Sequence, residues 1–296
     1  MPVRQFDRFF AFAIAAYFAA PTAADAVTHR VPSDYGTIQA GIDAASEGDT
    51  VLVAPGTYTG AANKNLDFKG TDLVLRSEAG AESTVIDCEG AGKGIFFRSG
   101  ETRASSIEGL TITGGVSPDS SYVRDGGAVE MRGGVANIRD CVIRGNSALP
   151  FGYGGGVVIW PQSPETIEVV NCVIEENTSA YGAGLTWWAD VDSVGLVLDG
   201  CSIVGNDAQR AGGGLWLGWT VSSTPVGAVA RVRDCLISGN SAGFEEDDRY
   251  VGAVSTAGRE TSNSRIASSR TTRPWAREGG LRRGDIVGRD CGSSTA

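Results

Sequence analysis

The chain has 296 residues, 42% apolar and 20% charged, with a formal net charge of −10. That size fits one large or two small domains, and the acidity excludes a nucleic-acid binder, since affinity for phosphate comes from Lys and Arg. Its 42 glycines are about twice the usual share, which without a collagen period implies many turns or close-packed coils.

The first 26 residues read as a signal peptide. Arg4 and Arg8 give a basic start, "FFAFAIAAYFAA" (9–20) is apolar, and Ala24 and Ala26 form an Ala-x-Ala cleavage pattern. The apolar run is too short to span a bilayer. Cleavage after Ala26 is expected. The mature chain then carries no membrane-spanning segment and is secreted or held at the cell surface, in an oxidising compartment.

Residues 27–257 read as one domain. "TIQAGIDAASEG" (37–48) places Ile38, Ile42 and Ala45 on one face of a helix over about 37–47. "DTVLVAPGTYTG" (49–60) reads as a strand and a turn. "DLVLRS", "STVIDCEG" and "KGIFFRSG" follow as further strands.

From there the sequence repeats. "RDCVIRGNSA" (139–148) returns as "VNCVIEENTSA" (170–180), "DGCSIVGNDA" (199–208) and "RDCLISGNSA" (233–242). A degenerate copy, "EGLTITGGVS" (108–117), has Leu110 at the Cys position. A Gly-rich element recurs in phase: "GGAV" (126–129), "GGVV" (155–158), "GAGL" (182–185), "GGGL" (212–215) and "VGAV" (251–254). Self-similarity at a period near 30 residues means stacked coils. The segments between turns alternate and are rich in Val and Ile, so they are strands. The expected fold is all-β, a right-handed parallel β-helix with an N-terminal capping helix that covers the exposed strand edge. Cys and the Ile two residues on point into the core. Asn146, Asn177, Asn206 and Asn240 turn the corner, where a left-handed backbone is tolerated, and stack as a ladder.

These residues resemble bacterial secreted β-helix proteins of the pectin-lyase-like superfamily, over about residues 30–255. The pairing of "GGA[VLI]" with "IxxN" is similar to the repeats of polymorphic outer-membrane proteins, which carry Phe where this chain has Ile. The resemblance implies fold and export, but a superfamily that hosts lyases, hydrolases, esterases and scaffolds does not fix activity. The "TIQ…GTY" opening is similar to that of pectin methylesterases. Gly60, however, stands where their Glu belongs, and their Gln-Asp and Asp-Phe-Ile-Phe-Gly motifs are absent. "RPW" (273–275) matches an esterase tripeptide but lies off-pattern. The Gly-His-Gly of polygalacturonases is missing too, the single histidine being His29, and so is the pectate lyase RxPxxR run.

Site candidates come from position within the coil. A cysteine ladder at ~4.8 Å per coil cannot converge on one zinc ion, which needs tetrahedral ligands. Neighbouring pairs are within disulfide distance but with parallel Cβ vectors, so core packing is the expected role. Counted from the last Gly of each element, offsets two and four face outward and include Trp160, Trp188 and Trp216. Exposed tryptophans in a row would stack on sugar faces; the alternative is that "PQSPET" and "ADVDSVG" fold over them. Asp119, Arg124 and Asp125, on the loop before the first Gly-rich element, are the catalytic candidates. Glu245, Glu246, Asp247 and Asp248 are candidates for Ca²⁺, and no other cofactor is expected. The tail, 258–296, holds eight Arg and four acids with almost no alternation. Disorder or a reading-frame shift would each explain it.

The expectation is an exported monomer that binds polysaccharide or acts as a cell-surface adhesion scaffold, with no nucleic-acid partner. The alternative is a polysaccharide lyase or glycoside hydrolase.

Overall fold

The computed structural model describes residues 25–117, 126–220, 227–243 and 250–254. The expected signal peptide up to residue 24 and the tail from 258 lie outside the described residues. So do Asp119, Arg124 and Asp125, and Glu245 to Asp248.

The described chain winds as a right-handed parallel β-helix. Each full coil runs through a first sheet, a second sheet, a short auxiliary strand and a third sheet. In one coil these are Asn137–Arg139, Val142–Arg144, Ser147–Tyr153 and Val157–Trp160. The sheets are built from corresponding segments of successive coils, paired in parallel except for one strand at the end of the third sheet. The pairing follows the sequence repeat: Val142 lies beside Val173, Ser202 beside Val173, and Leu236 beside Ser202.

The repeat motif sets two corners per coil. Before each core Cys stands a left-handed residue: Asp140, Asn171, Gly200 and Asp234, at φ between 48° and 63°. These are residue types that adopt that region at low cost. The second corner differs from the expectation. The left-handed residue is the one before Asn, namely Gly145, Glu176, Gly205 and Gly239. Asn itself is buried and closes the corner with its side chain. Asn177 shows the pattern: Oδ1 accepts from the backbone N–H and the Nδ2 of Asn146, each at 3.0 Å. Its Nδ2 donates to the Ile143 carbonyl at 2.9 Å and to Asn206 Oδ1 at 3.0 Å. All four hydrogen-bonding positions of the amide are used.

The cysteine ladder is core packing. Its members Cys141, Cys172, Cys201 and Cys235 are buried free thiols, as is Cys88 outside the ladder. Cys141 donates to the Arg139 carbonyl at 3.2 Å and Cys172 to the Val170 carbonyl at 3.2 Å. Burial pushes the Cys141 thiol up to about 12.

The Gly-rich element is a step between the auxiliary strand and the third sheet. Gly154, Gly182 and Gly212 sit at φ 59°, 58° and 70°. Two residues on there is no room for a side chain, since a Cβ on Gly184 would lie 2.4 Å from the Gly214 carbonyl oxygen. "VGAV" departs from the repeat. Tyr250–Val254 joins the third sheet beside Leu215–Thr220 but runs antiparallel to it.

The cap is a helix, Ile38–Ala44, shorter than periodicity predicted. Thr37 Oγ1 accepts the Ala40 N–H at 3.3 Å as N-cap, and Ala45 turns extended at ψ 150°. Ile38 and Ile42 are buried on the core. The first strand of the third sheet, Leu66–Asp67, has its edge covered by Gln39: Nε2 donates to the Asp67 carbonyl at 3.0 Å, and Oε1 accepts the Asp67 N–H at 2.9 Å.

Candidate functional site

Alternation along the third sheet divides its side chains cleanly. Leu66, Ile95, Phe97, Val129, Met131, Val157, Ile159, Leu185 and Leu215 fill the bore of the coil. The residues between them face out. Pairing aligns Asp67, Phe96, Glu130, Val158, Thr186 and Trp216 in one outward row. Arg132 and Trp160 lie beside each other in the next.

The three tryptophans are outside the bore, as their offsets require, but Trp188 and Trp216 are not exposed. They are 0% and 2% accessible. The auxiliary strands bring Tyr153 and Tyr181 over this face, stacked on each other at 4.9 Å. Trp188 meets Tyr153 edge-on at 5.3 Å and Trp216 at 4.2 Å. The result is a second apolar cluster outside the main core, formed with Val158 and Ala180. Sugar stacking on Trp188 and Trp216 is therefore blocked by their own neighbours. Trp160, at the edge of this cluster, is only half-buried.

Toward the N-terminal coils the same face becomes charged. The Arg132 guanidinium lies 5.0 Å from the Trp160 ring centre, and that of Arg98 4.7 Å from the Phe96 ring. These are cation–π distances. Arg98 also grips Asp67 Oδ2 through Nη2 at 2.6 Å and Nε at 3.0 Å. Lys93 Nζ pairs with Glu130 Oε2, both residues being buried, and lies 5.4 Å from the Phe96 ring. Two arginines, two aromatic faces and a buried acid–base pair thus occupy adjoining rungs of one sheet.

Asp119, Arg124 and Asp125 lie outside the described residues. Before them in sequence, the Val116 N–H donates to the Gly92 carbonyl at 2.7 Å, next to Lys93. The Ser117 hydroxyl is buried without a hydrogen-bond partner among the described residues.

Sequence reasoning missed Lys93, Phe96, Arg98, Glu130 and Arg132. Counting from the last Gly works for the later coils. In "GGAVE", however, Ala128 takes the register place of Gly156, because Val129 pairs with Val157. A count from Gly127 would have turned Glu130 inward. Among the described residues no group of three or more His, Cys, Asp or Glu is placed to hold a metal ion, and no helix is long and apolar enough to cross a membrane.

No protein-family model matches the chain, and no curated protein matches it in sequence. Among solved structures it is similar to a pectin methylesterase from Aspergillus niger in penultimately deglycosylated form. The identity is 16% over 77% of this chain and 71% of that one, with a TM-score of 0.41. It is also similar to a pectin methylesterase in complex with a hexasaccharide, at 16% identity over 72% and 67% of the two chains, with a TM-score of 0.40.

Proposed function

We propose that this is an exported β-helix protein that engages an acidic polysaccharide along the outer face of its third sheet. The observation that carries the reading is the pair of arginines seated over aromatic rings, Arg98 over Phe96 and Arg132 over Trp160. A guanidinium fork matches a sugar carboxylate. An aromatic ring offers apolar area to a sugar face. Successive rungs ~4.8 Å apart repeat that offer along the axis, as a polymer requires. Trp160 packs against the apolar cluster that holds Trp188 and Trp216. The chain as a whole carries a net charge of −10, and Arg98 and Lys93 are already paired with Asp67 and Glu130, so a sugar carboxylate would meet Arg132 and exchange with Asp67 at Arg98.

The test is equilibrium binding of the mature protein to a panel of acidic and neutral polysaccharides. Arg98→Ala with Arg132→Ala should weaken acidic glycans at least about tenfold, each charged contact being worth about 1.5–3 kcal/mol. Trp160→Ala should weaken both classes. Unchanged binding in these variants would refute the assignment.

A second reading, a polysaccharide lyase or hydrolase, is favoured by the buried Lys93–Glu130 pair on the same face. There Lys93 and Glu130 would supply proton-transfer groups; Asp119, Arg124 and Asp125 are further candidates from the sequence. Chain cleavage by the protein, abolished in Glu130→Gln or Asp125→Ala with binding retained, would establish it. Running the assay with and without Ca²⁺ tests the proposed role of Glu245, Glu246, Asp247 and Asp248.

A further inference from the structure

The first strand, Thr28–Val31, is an edge strand that pairs with Thr50–Val53. Just ahead of it the Val27 carbonyl accepts the Thr50 N–H at 2.9 Å. The Val27 nitrogen donates to Asp49 Oδ1 at 2.7 Å. Asp49 is only 5% accessible. Its Oδ2 takes the Ser46 N–H at 2.8 Å and His29 Nε2 at 2.9 Å, and His29 Nδ1 lies 3.2 Å from the Tyr35 hydroxyl. Oδ2 of this enclosed carboxylate is held by Ser46 and His29, and Oδ1 faces the Val27 nitrogen. That nitrogen belongs to the residue just after Ala26, where the Ala-x-Ala pattern ends. Asp25, Ala26 and Val27 are themselves exposed.

We propose that the Ala26–Val27 bond is a processing site and that Asp49 is the socket for the new N-terminus. Water adds across the amide as a leader-removing endopeptidase cuts it. The C–N bond breaks, Ala26 leaves as a carboxylate, and the Val27 nitrogen takes up protons to become an ammonium. The donor in place is then a cation facing a buried anion, and a charge-assisted hydrogen bond is roughly twice as strong as a neutral one. The hydrogen bonds from His29, Ser46 and Val27 hold the Asp49 carboxyl below the usual carboxylate range, so the socket is already ionised when the bond is cut. Removal of the leader would thus tighten the edge of the first sheet, and a chain that has not been cut would have a looser N-terminal coil.

The experiment starts from the full chain expressed in a secreting host. N-terminal sequencing of the exported protein should begin at Val27; any other start overturns the proposal. The denaturant stability of that protein is then compared with the same protein acetylated at its N-terminus, and with a form that retains Ala26. Both modified forms should lose roughly tenfold in the ratio of folded to unfolded chain. Asp49→Asn should erase the differences; equal differences with and without Asp49 would overturn the socket. If Asp49→Asn does not fold, the titration of the Val27 α-amino group in the native protein decides the matter. It should lie above the ordinary range of about 7.7–8.0, and an unshifted value counts against the ion pair.

Discussion

At the scale of single residues the repeat motif is a set of independent physical requirements. Asn177→Ala removes an amide whose four bonds tie three coils together. It should cost about 3 kcal/mol in urea unfolding, because buried partners are left unsatisfied at about 1–3 kcal/mol each. Glu176, by contrast, is an exposed left-handed residue at φ 55° where other coils have Gly. Glu176→Gly should therefore gain about 0.5–1 kcal/mol of stability, the relief of left-handed strain exceeding the entropy that glycine costs. The thiols behave as core. Burial pushes Cys88 and Cys141 up to about 12. Cys201 rises to about 11, chiefly through its hydrogen bond with Cys172. Native protein at pH 8 should take up no alkylating reagent at these positions, and urea-unfolded protein should label them, as read by mass spectrometry. With folded values above the unfolded one, their contribution to stability is complete below the unfolded thiol range. It is lost as pH climbs toward 12. The Cys and Asn positions were legible in the sequence because each recurs with a fixed local geometry. The fate of Trp188 was not: its exposure depends on Tyr153 and Tyr181 from other strands, and no spacing rule around Trp188 encodes them.

At the scale of elements, the N-terminal cap works through a side chain more than through the helix. Seven residues do not form a stable helix alone; Ile38–Ala44 holds because Ile38 and Ile42 are buried and Asn63 Oδ1 accepts the Ile38 N–H at 2.8 Å. Gln39→Ala would leave the Asp67 backbone pair open at the sheet edge and should cost about 1–2 kcal/mol, measured by thermal or urea unfolding. Periodicity extended this helix to about residue 47 because Ala45 does pack on the core. Periodicity cannot register that Asp49 draws the Ser46 N–H out of the helical path. The Gly-rich elements were visible as punctuation, while their register with the earlier "GGAVE" copy was hidden by the Ala128 substitution. That one-residue offset concealed Glu130 and Arg132.

For the whole molecule, the outer face of the third sheet changes character along the axis. It is charged around Arg98 and Glu130, mixed at Trp160, and sealed by aromatics from Trp188 onward. A bound polymer would be confined to the N-terminal half. If the arginines carry the affinity, raising salt from about 0.05 to about 0.5 M should weaken acidic polysaccharides markedly, as the screening length shrinks well below its ~10 Å value at 0.1 M. Neutral glycans should hardly respond. Calorimetric titration at the two salt levels checks this.

The reversed strand, Tyr250–Val254, bears on how such molecules behave in a crowd. A parallel solenoid offers every passing coil the same template at its end, and nothing in the repeat itself says where winding should stop. Here the last described strand of one of the three main sheets runs backwards. Another coil pairing with that strand would find its hydrogen bonds out of phase with the repeat. A strand laid against the grain would in this way interrupt the template.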